Sequence, residues 1–419
     1  MDAQPQPIEN QPIENQPIEV QNNIDTQSVE TQSADAQSPI TQSITNAAQV
    51  VSANPWRGKT FFVNPRWADK LEPTYNMYKQ RGDEGNAAKV RTLQKTGTFV
   101  WISHIDNLPD IDSAIQSARA KEKETGKQQI VGLVLYNIPG RDYLGGASAN
   151  NIPPTEPGLR KYKKQFVNPF AEKVAAAKDL NFAIILEPDV VGNLVTAHDD
   201  DRFKPVAPFY ERGTAYAIMS LQLKHVSLYL DAANGGWLGW PDKLEPGEYE
   251  PRILNRPVAK HTVAAKQLAR ILQRARDHSS NRTNIRGFST NVSNFNPFNA
   301  TESEREPYTQ YSESWDESRF IEQLVPYLKK HKLPLHFIVD QSRVALPGAR
   351  TTWGQFENVP AKFGMRPGTS VKNKHVDSIV WVKPAGESDG NSPDMVWPGP
   401  PAGAWFPEYV ERMVSNSNI

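Results

Sequence analysis

Hydrophobic residues in this chain gather into short unbroken runs, separated by longer stretches with apolar positions three and four apart. The runs are TFVWIS (98–103), IVGLVLY (130–136), FAIILEP (182–188), VSLYLD (226–231), IRGFSTN (285–291), LHFIVD (335–340) and SIVWVK (378–383). Apolar runs of this length suit parallel strands buried on both faces. Between them, DIDSAIQSARAKEKE, NPFAEKVAAAKD, VAAKQLARILQRARDH and ESRFIEQLVPYLKKH carry the helical spacing. Seven strands alternating with helices predict a parallel barrel or an open doubly wound sheet. The open sheet would want a Gly-rich phosphate turn after its first strand, and SHIDNLPD is not one. A barrel is favoured.

The runs end in polar residues: Ser103, Tyr136, Asp189 just beyond its strand, Asp231, Asn291, Asp340 and Lys383. A barrel collects these on the face formed by the C-terminal ends of its strands, where active sites sit. Aspartates follow strands at IPGRD (Asp142), LEPD (Asp189), YLD (Asp231) and GESDG (Asp389). Tryptophans sit in loops beside them, at NPRW (Trp67), GGWLGWP (Trp237, Trp240) and TTWG (Trp353). Paired carboxyls and aromatic faces are what glycoside hydrolysis requires, one group as proton donor and the other as platform for a pyranose ring. Taken singly, such an aspartate is a cap or turn residue, and such a tryptophan is a lid on the core. Their joint placement carries the functional reading.

Composition divides the chain. Residues 1–50 contain the tandem repeat QPIENQPIENQPIEV and TQS-containing echoes of it. Before Trp56 there are seven acidic residues, no Lys or Arg and no aromatic residue. Such a segment cannot bury enough surface to offset its ordering entropy, so 1–50 is expected to be a disordered tail or linker and 51–419 the folded domain. Over the whole chain Lys+Arg and Asp+Glu both number 47, which points to neither nucleic acid nor an anionic membrane. No stretch approaches the length of a spanning helix. The absence of cysteine leaves the compartment open. MDAQPQPIEN lacks both the basic and the apolar regions of a secretory signal, and three N-x-S/T sequons (Asn281, Asn291, Asn299) are compatible with export.

From about Phe61 onward the chain resembles family 6 glycoside hydrolases, the cellobiohydrolases and endoglucanases that cut cellulose by inversion. FFVNPRW, LVLYNIPGRD with ASANN, IILEPDVVGNLVT, SLYLDAANGGWLGWP, GFSTNVSNFNPF, FIVDQSR, WGQFENV, FGMRP and VWVKPAGESDG before AGAWF carry the resemblance. It implies a distorted seven-stranded parallel β/α barrel (TIM-like), extracellular action on β-glucan, no cofactor or metal, and a monomer. Asp189 matches the general acid. Asp142 matches the aspartate that keeps that acid protonated, and Asp389 the residue often proposed as base. Asp231, Tyr136, Ser148, Lys383, Glu387 and Asn291 match the substrate-binding set, with Trp67 and Trp353 as donor-side platforms and Trp237 and Trp240 as acceptor-side ones.

The chain departs from the pattern in places. Tyr143 and Ser388 stand where fungal members commonly carry cysteines, Asn137 where an aspartate is common, and Asn234 where a histidine is frequent. The stretch NSPDMVWPGPP (391–401) is short for a loop roofing the cleft, so endo-action is expected, with a processive cellobiohydrolase as the alternative. Trp397 and its prolines would instead be a compact lid. A glucan-binding protein without turnover should have lost one of Asp142, Asp189 and Asp389, yet all three are present. A metal-dependent hydrolase would need an HxH or HxxxH pair, and there is none.

Overall fold

All seven runs form strands of one parallel sheet, and an eighth, shorter strand precedes them. The computed structural model describes residues 53–142, 146–240, 252–253, 256–257, 261–279, 283–355, 357–391 and 397–419. The expectation for residues 1–50 lies outside these. In chain order the strands are β1 (Thr60–Phe61), β2 (Val100–Ile102), β3 (Gln129–Leu135), β4 (Asn181–Leu186), β5 (Val226–Asp231), β6 (Gly287–Thr290), β7 (Phe337–Asp340) and β8 (Val376–Val380). β3 to β8 pair in sequence, while β1 and β2 share one edge of β3, at Gln129–Ile130 and Leu133–Leu135 respectively. The sheet therefore has seven strand positions.

Closure is incomplete, and this is the distortion. Between β8 and β2 no ladder forms. Phe99 N–H donates to the Trp381 carbonyl at 3.1 Å, and the Trp101 indole N–H to the Val382 carbonyl at 2.8 Å. The two edges touch without zipping together.

Side chains alternate along the strands. Val131, Leu133, Leu135, Phe182, Ile184 and Leu186 pack outward under the helices. Ile130, Val134, Ala183, Ile185 and Tyr229 fill the barrel with Trp56 and Phe99. Helices cover the sheet where the periodicity placed them, at Pro109–Thr125, Asn168–Ala176, His261–Asp277 and Glu317–Lys330. The last starts where the Asp316 carboxylate accepts from Arg319 N at 2.8 Å. It buries Phe320, Ile321, Leu324, Val325 and Leu328 and ends in Lys329 and Lys330, favourable at the negative end of the helix dipole. Among the described residues, no helix is long and apolar enough to cross a membrane.

Trp56 plugs the barrel floor. Its ring stacks on Phe61 at 5.0 Å, and its indole N–H donates to Tyr229 Oη at 3.1 Å. Tyr229 in turn donates to Asp377, which Arg286 clasps with two hydrogen bonds of 2.7 and 2.8 Å. Trp56→Ala is expected to cost about 3–5 kcal/mol, because it opens a cavity and takes from the buried Tyr229 oxygen its indole donor. An unchanged denaturation midpoint for the variant would show that the floor seals without Trp56.

Candidate active site

The C-terminal ends of the strands open into one cavity of about 580 Å³. β4 delivers Asp189 to it through an unusual turn. Glu187 and Asp189 both have positive φ, 43° and 69°, in a region non-glycine residues rarely occupy. The surroundings hold them there. The Glu187 carboxylate accepts from Asn137 N and Ile138 N, each at 3.0 Å, and from Tyr162 Oη at 2.7 Å. Asp189 N–H donates to Asp231 Oδ2 at 3.0 Å, and the Asp189 carbonyl caps Asn193 N at 3.0 Å. Strain over-determined by its neighbours is typical of functional turns.

The electrostatics favour a proton on Asp189. Burial pushes its carboxyl well above the ordinary range, and the nearby carboxylates of Asp231 and Asp142 push it further. Asp142 Oδ2 accepts from Ser148 N at 2.7 Å and Ser148 Oγ at 3.1 Å. Because the carboxylate only accepts, the 3.0 Å contact between Tyr136 and Ser148 runs from phenol to hydroxyl. Tyr136, Ser148 and Asp142 thus form one directed chain. Arg141 braces it from behind, donating to the carbonyls of Ser103, Tyr136 and Ser148.

Asp389 is held in the opposite state. Burial alone would raise it, but Arg343 at 2.7 Å, Lys383 at 3.6 Å and Asn358 N at 3.0 Å outweigh that and hold its carboxyl below the usual value. Lys383 and Glu387 both line the cavity, Glu387 paired with Lys70 at 2.8 Å.

Of the tryptophans, Trp67, Trp101, Trp237 and Trp353 line the cavity, Trp101 without having been singled out in the sequence. Trp67 is nonetheless held mostly by protein: it is 1% exposed, packs edge-on to Trp381 at 6.3 Å and donates to the Ala385 carbonyl at 2.9 Å. Three residues expected to touch substrate do not line the cavity. Trp240 is 1% exposed, with its N–H on the Gly236 carbonyl. Asn291 is fully buried, bonding the carbonyls of Asn296 and Asp340. Its sequon is therefore out of reach of glycosylation. Asp231 is 1% exposed and holds three donors: Asp189 N, Ala233 N and Ser289 Oγ. Its carboxylate anchors the backbone of Asp189.

The departures from the family pattern settle into structural roles. The Asn234 side chain accepts from Trp237 N at 3.2 Å, capping the turn that carries Trp237. Asn137 Oδ1 accepts from Asn150 at 2.9 Å. Ser388 Oγ donates to the Pro400 carbonyl at 2.7 Å and accepts from Gly390 N at 3.0 Å, tying the loop ends together without a disulfide. Tyr143 lies outside the described residues. Sequence reasoning passed over Arg141, Asn193, Thr196 and Glu357, all of which line the cavity.

A family model for glycosyl hydrolases family 6 matches residues 56–417. The chain belongs to this family. It is 48% identical over 367 residues to the 1,4-beta-D-glucan cellobiohydrolase CEL6B of Podospora anserina, covering 87% of this chain and 83% of that one. It is 47% identical over 369 residues to Endoglucanase-6B of Humicola insolens, covering 88% and 98%. Among solved structures, Endoglucanase CEL6B from Humicola insolens superposes with a TM-score of 0.78 at 45% identity, over 87% of this chain and 99% of that one. CcCel6C from Coprinopsis cinerea gives 0.79 at 38% identity, over 87% and 98%. The family 6 chain is thus a glycoside hydrolase, and the barrel expected from its sequence is the one observed.

Buried carboxyls also set how the family 6 barrel responds to pH. Burial raises Glu187 and Glu317 to about 7 and Asp231 to about 6. Between the ordinary carboxyl range and these values the folded chain holds more protons than the unfolded one. Stability therefore falls as pH rises through about 4.5 to 7. Each glutamate contributes on the order of 3 kcal/mol to that fall. The melting temperature is expected to be higher at pH 5 than at pH 8, with a shallower slope in Glu317→Gln. A melting temperature that rises over this window would refute the reading.

Proposed function

We propose that this chain hydrolyses β-1,4-glucosidic bonds of cellulose or a related β-glucan with inversion, in an endo mode. The observation that carries the mechanism is the state of Asp189, a carboxyl raised by burial and by two carboxylate neighbours at the cavity wall. An acid so held keeps its proton at working pH and can give it to the glycosidic oxygen as the bond breaks. A water then adds to the opposite face of the anomeric carbon.

The proton of that water needs an acceptor. Asp389 is a poor one, since its ion pair with Arg343 stabilises the anion; its charge instead opposes the positive charge that develops on the sugar. Asp142 with Ser148 is better placed. While Asp189 is protonated, no repulsion from it acts on Asp142. Once Asp189 has given up its proton, the proton of the water can pass through Ser148 Oγ to Asp142 Oδ2, which accepts from that hydroxyl at 3.1 Å. The relay exchanges roles within one catalytic event.

Endo-action is supported by the short loop at the C-terminal wall. Asn391 and Gly399 hold its two ends together by mutual hydrogen bonds of 2.6 and 2.8 Å. Trp397 is committed to Phe406 at 4.9 Å, Tyr409 at 5.7 Å and Arg412, and does not line the cavity. Residues 392–396 of the loop lie outside the described residues. Because the polymer cannot enter a cell, the enzyme acts outside one.

Proton NMR of early hydrolysis should show the α-anomer first, as inversion demands. Early β-anomer would overturn the mechanism. Carboxymethyl cellulose should lose viscosity steeply per reducing end released. Slow viscosity loss with cellobiose as nearly the sole product would mean a cellobiohydrolase instead.

A further inference from the structure

Trp237 is fastened to the element that carries the acid. It stands in the short helical turn Gly235–Leu238, and its ring lies against the helix Val190–Thr196, which begins directly after Asp189. A methyl group built on Gly192 would come within 2.7–2.8 Å of three atoms of the indole, so the ring lies face-on against a bare backbone. The indole N–H donates to Thr196 Oγ1 at 3.0 Å. That hydroxyl spends its own proton on the Gly192 carbonyl at 2.9 Å, which leaves its lone pairs for the indole. Face and edge of one ring are therefore tied to one turn of one helix, all seven of whose residues are buried.

Helix stability does not explain Gly192. Its backbone is helical, and alanine is much the better helix former. The three atoms nearest to a side chain built there all belong to the indole ring. Nor can the Trp237 turn easily retreat, because Gly236 abuts Trp353 and Gly235 N donates to the buried Glu317 at 3.1 Å.

We propose that Gly192 and Thr196 are positioning residues that hold the leaving-group sugar in register with the Asp189 proton. This rests on the reading of Trp237 as the acceptor-side platform. A sugar stacked on Trp237 is then referenced to the same short helix as the acid, so the glycosidic oxygen arrives within proton-transfer reach of Asp189. Such transfer needs heavy atoms about 2.6–3.2 Å apart, and a misplacement of about 1 Å can cost on the order of 10²-fold in rate.

The test compares two substrates in the full chain. Cellopentaose expels a sugar that must be both seated and protonated. Dinitrophenyl β-cellobioside expels a phenolate that needs neither. In Gly192→Ala, kcat/KM on cellopentaose should fall about tenfold or more relative to that on the aryl substrate, beyond any loss common to both substrates that comes from overpacking against the indole. Thr196→Val should lower the same ratio, and Thr196→Ser, which keeps both hydrogen bonds, should restore it. Trp237→Ala is the control. If it lowers the ratio and Gly192→Ala does not, the positioning role is refuted and the platform reading stands. If Trp237→Ala leaves the ratio unmoved, the platform reading fails and the proposal falls with it. Equal losses on both substrates with a lowered melting temperature would make Gly192 merely structural and also overturn the proposal.

Discussion

Asp189→Asn is expected to lower kcat on unactivated glucan by at least ~10²-fold while the fold survives. The asymmetry follows from how the turn is built. What anchors residue 189 is its backbone: N–H on Asp231, carbonyl on Asn193. Asparagine keeps both bonds and the side-chain shape, and only the transferable proton disappears. The loss should shrink strongly on dinitrophenyl β-cellobioside, whose leaving group departs unprotonated. A folded Asp189→Asn enzyme with near-native turnover on cellopentaose would remove Asp189 from the mechanism. Asp142→Asn tests the coupling itself. Burial is the larger cause of the raised acid, so Asp189 stays elevated, but it loses a like-charge neighbour. The alkaline limb of the activity profile should therefore move to lower pH, with kcat reduced as well, because the same substitution removes the proposed proton acceptor. A lowered rate with no shift of the limb would separate Asp142 from the acid.

The seven strands were legible because a parallel sheet covered on both faces leaves unbroken apolar runs, and each run recurs at the predicted place. β1 was not, since two residues carry no period. LEPD was enough to place Asp189 at the cavity wall, where it lies, whereas Asp231, expected to face the cavity, lies behind that wall. A polar residue ending a strand looks the same in sequence whether it faces a cavity or a backbone amide; Asp231 and Asn291 face amides and carbonyls. Trp240 shows the same ambiguity for aromatic residues, because WLGW spaces its two rings without saying which is buried. Thr196 and Gly192 were hidden by the shortness of their helix. Arg343 was hidden for another reason: arginine is ordinarily a surface residue, and only tertiary contact reveals one with no exposed surface.

That arginine carries a large expected change in stability. Arg343 donates to Asp389 Oδ2 at 2.7 Å and to the Ser293 carbonyl at 2.6 Å, and its guanidinium lies over the Phe295 ring at 4.2 Å. Arg343→Met keeps most of the volume but leaves Asp389 buried with only Lys383 and Asn358 N for support. Breaking a buried pair from one side costs about 3–5 kcal/mol, and the carboxyl then drifts upward because burial is no longer outweighed. Asp389→Asn should cost a similar amount for a different reason: the stranded partner is a guanidinium, which cannot shed its charge. The double variant Arg343→Met/Asp389→Asn should then be more stable than the sum of the two single losses allows, by at least about 1 kcal/mol in a denaturant double-mutant cycle. Additive losses would mean that the two residues act independently. The coupling also bears on catalysis. Part of any activity lost in an Asp389 variant reports a disturbed wall, so its rate should be taken per folded molecule. If the role is electrostatic, Arg343→Met should retain activity at high pH, where Asp389 stays ionised, and lose it as pH falls through the raised carboxyl. A base role makes the opposite demand, since a carboxyl freed from its ion pair would be the stronger proton acceptor and the variant should gain at mid-range pH.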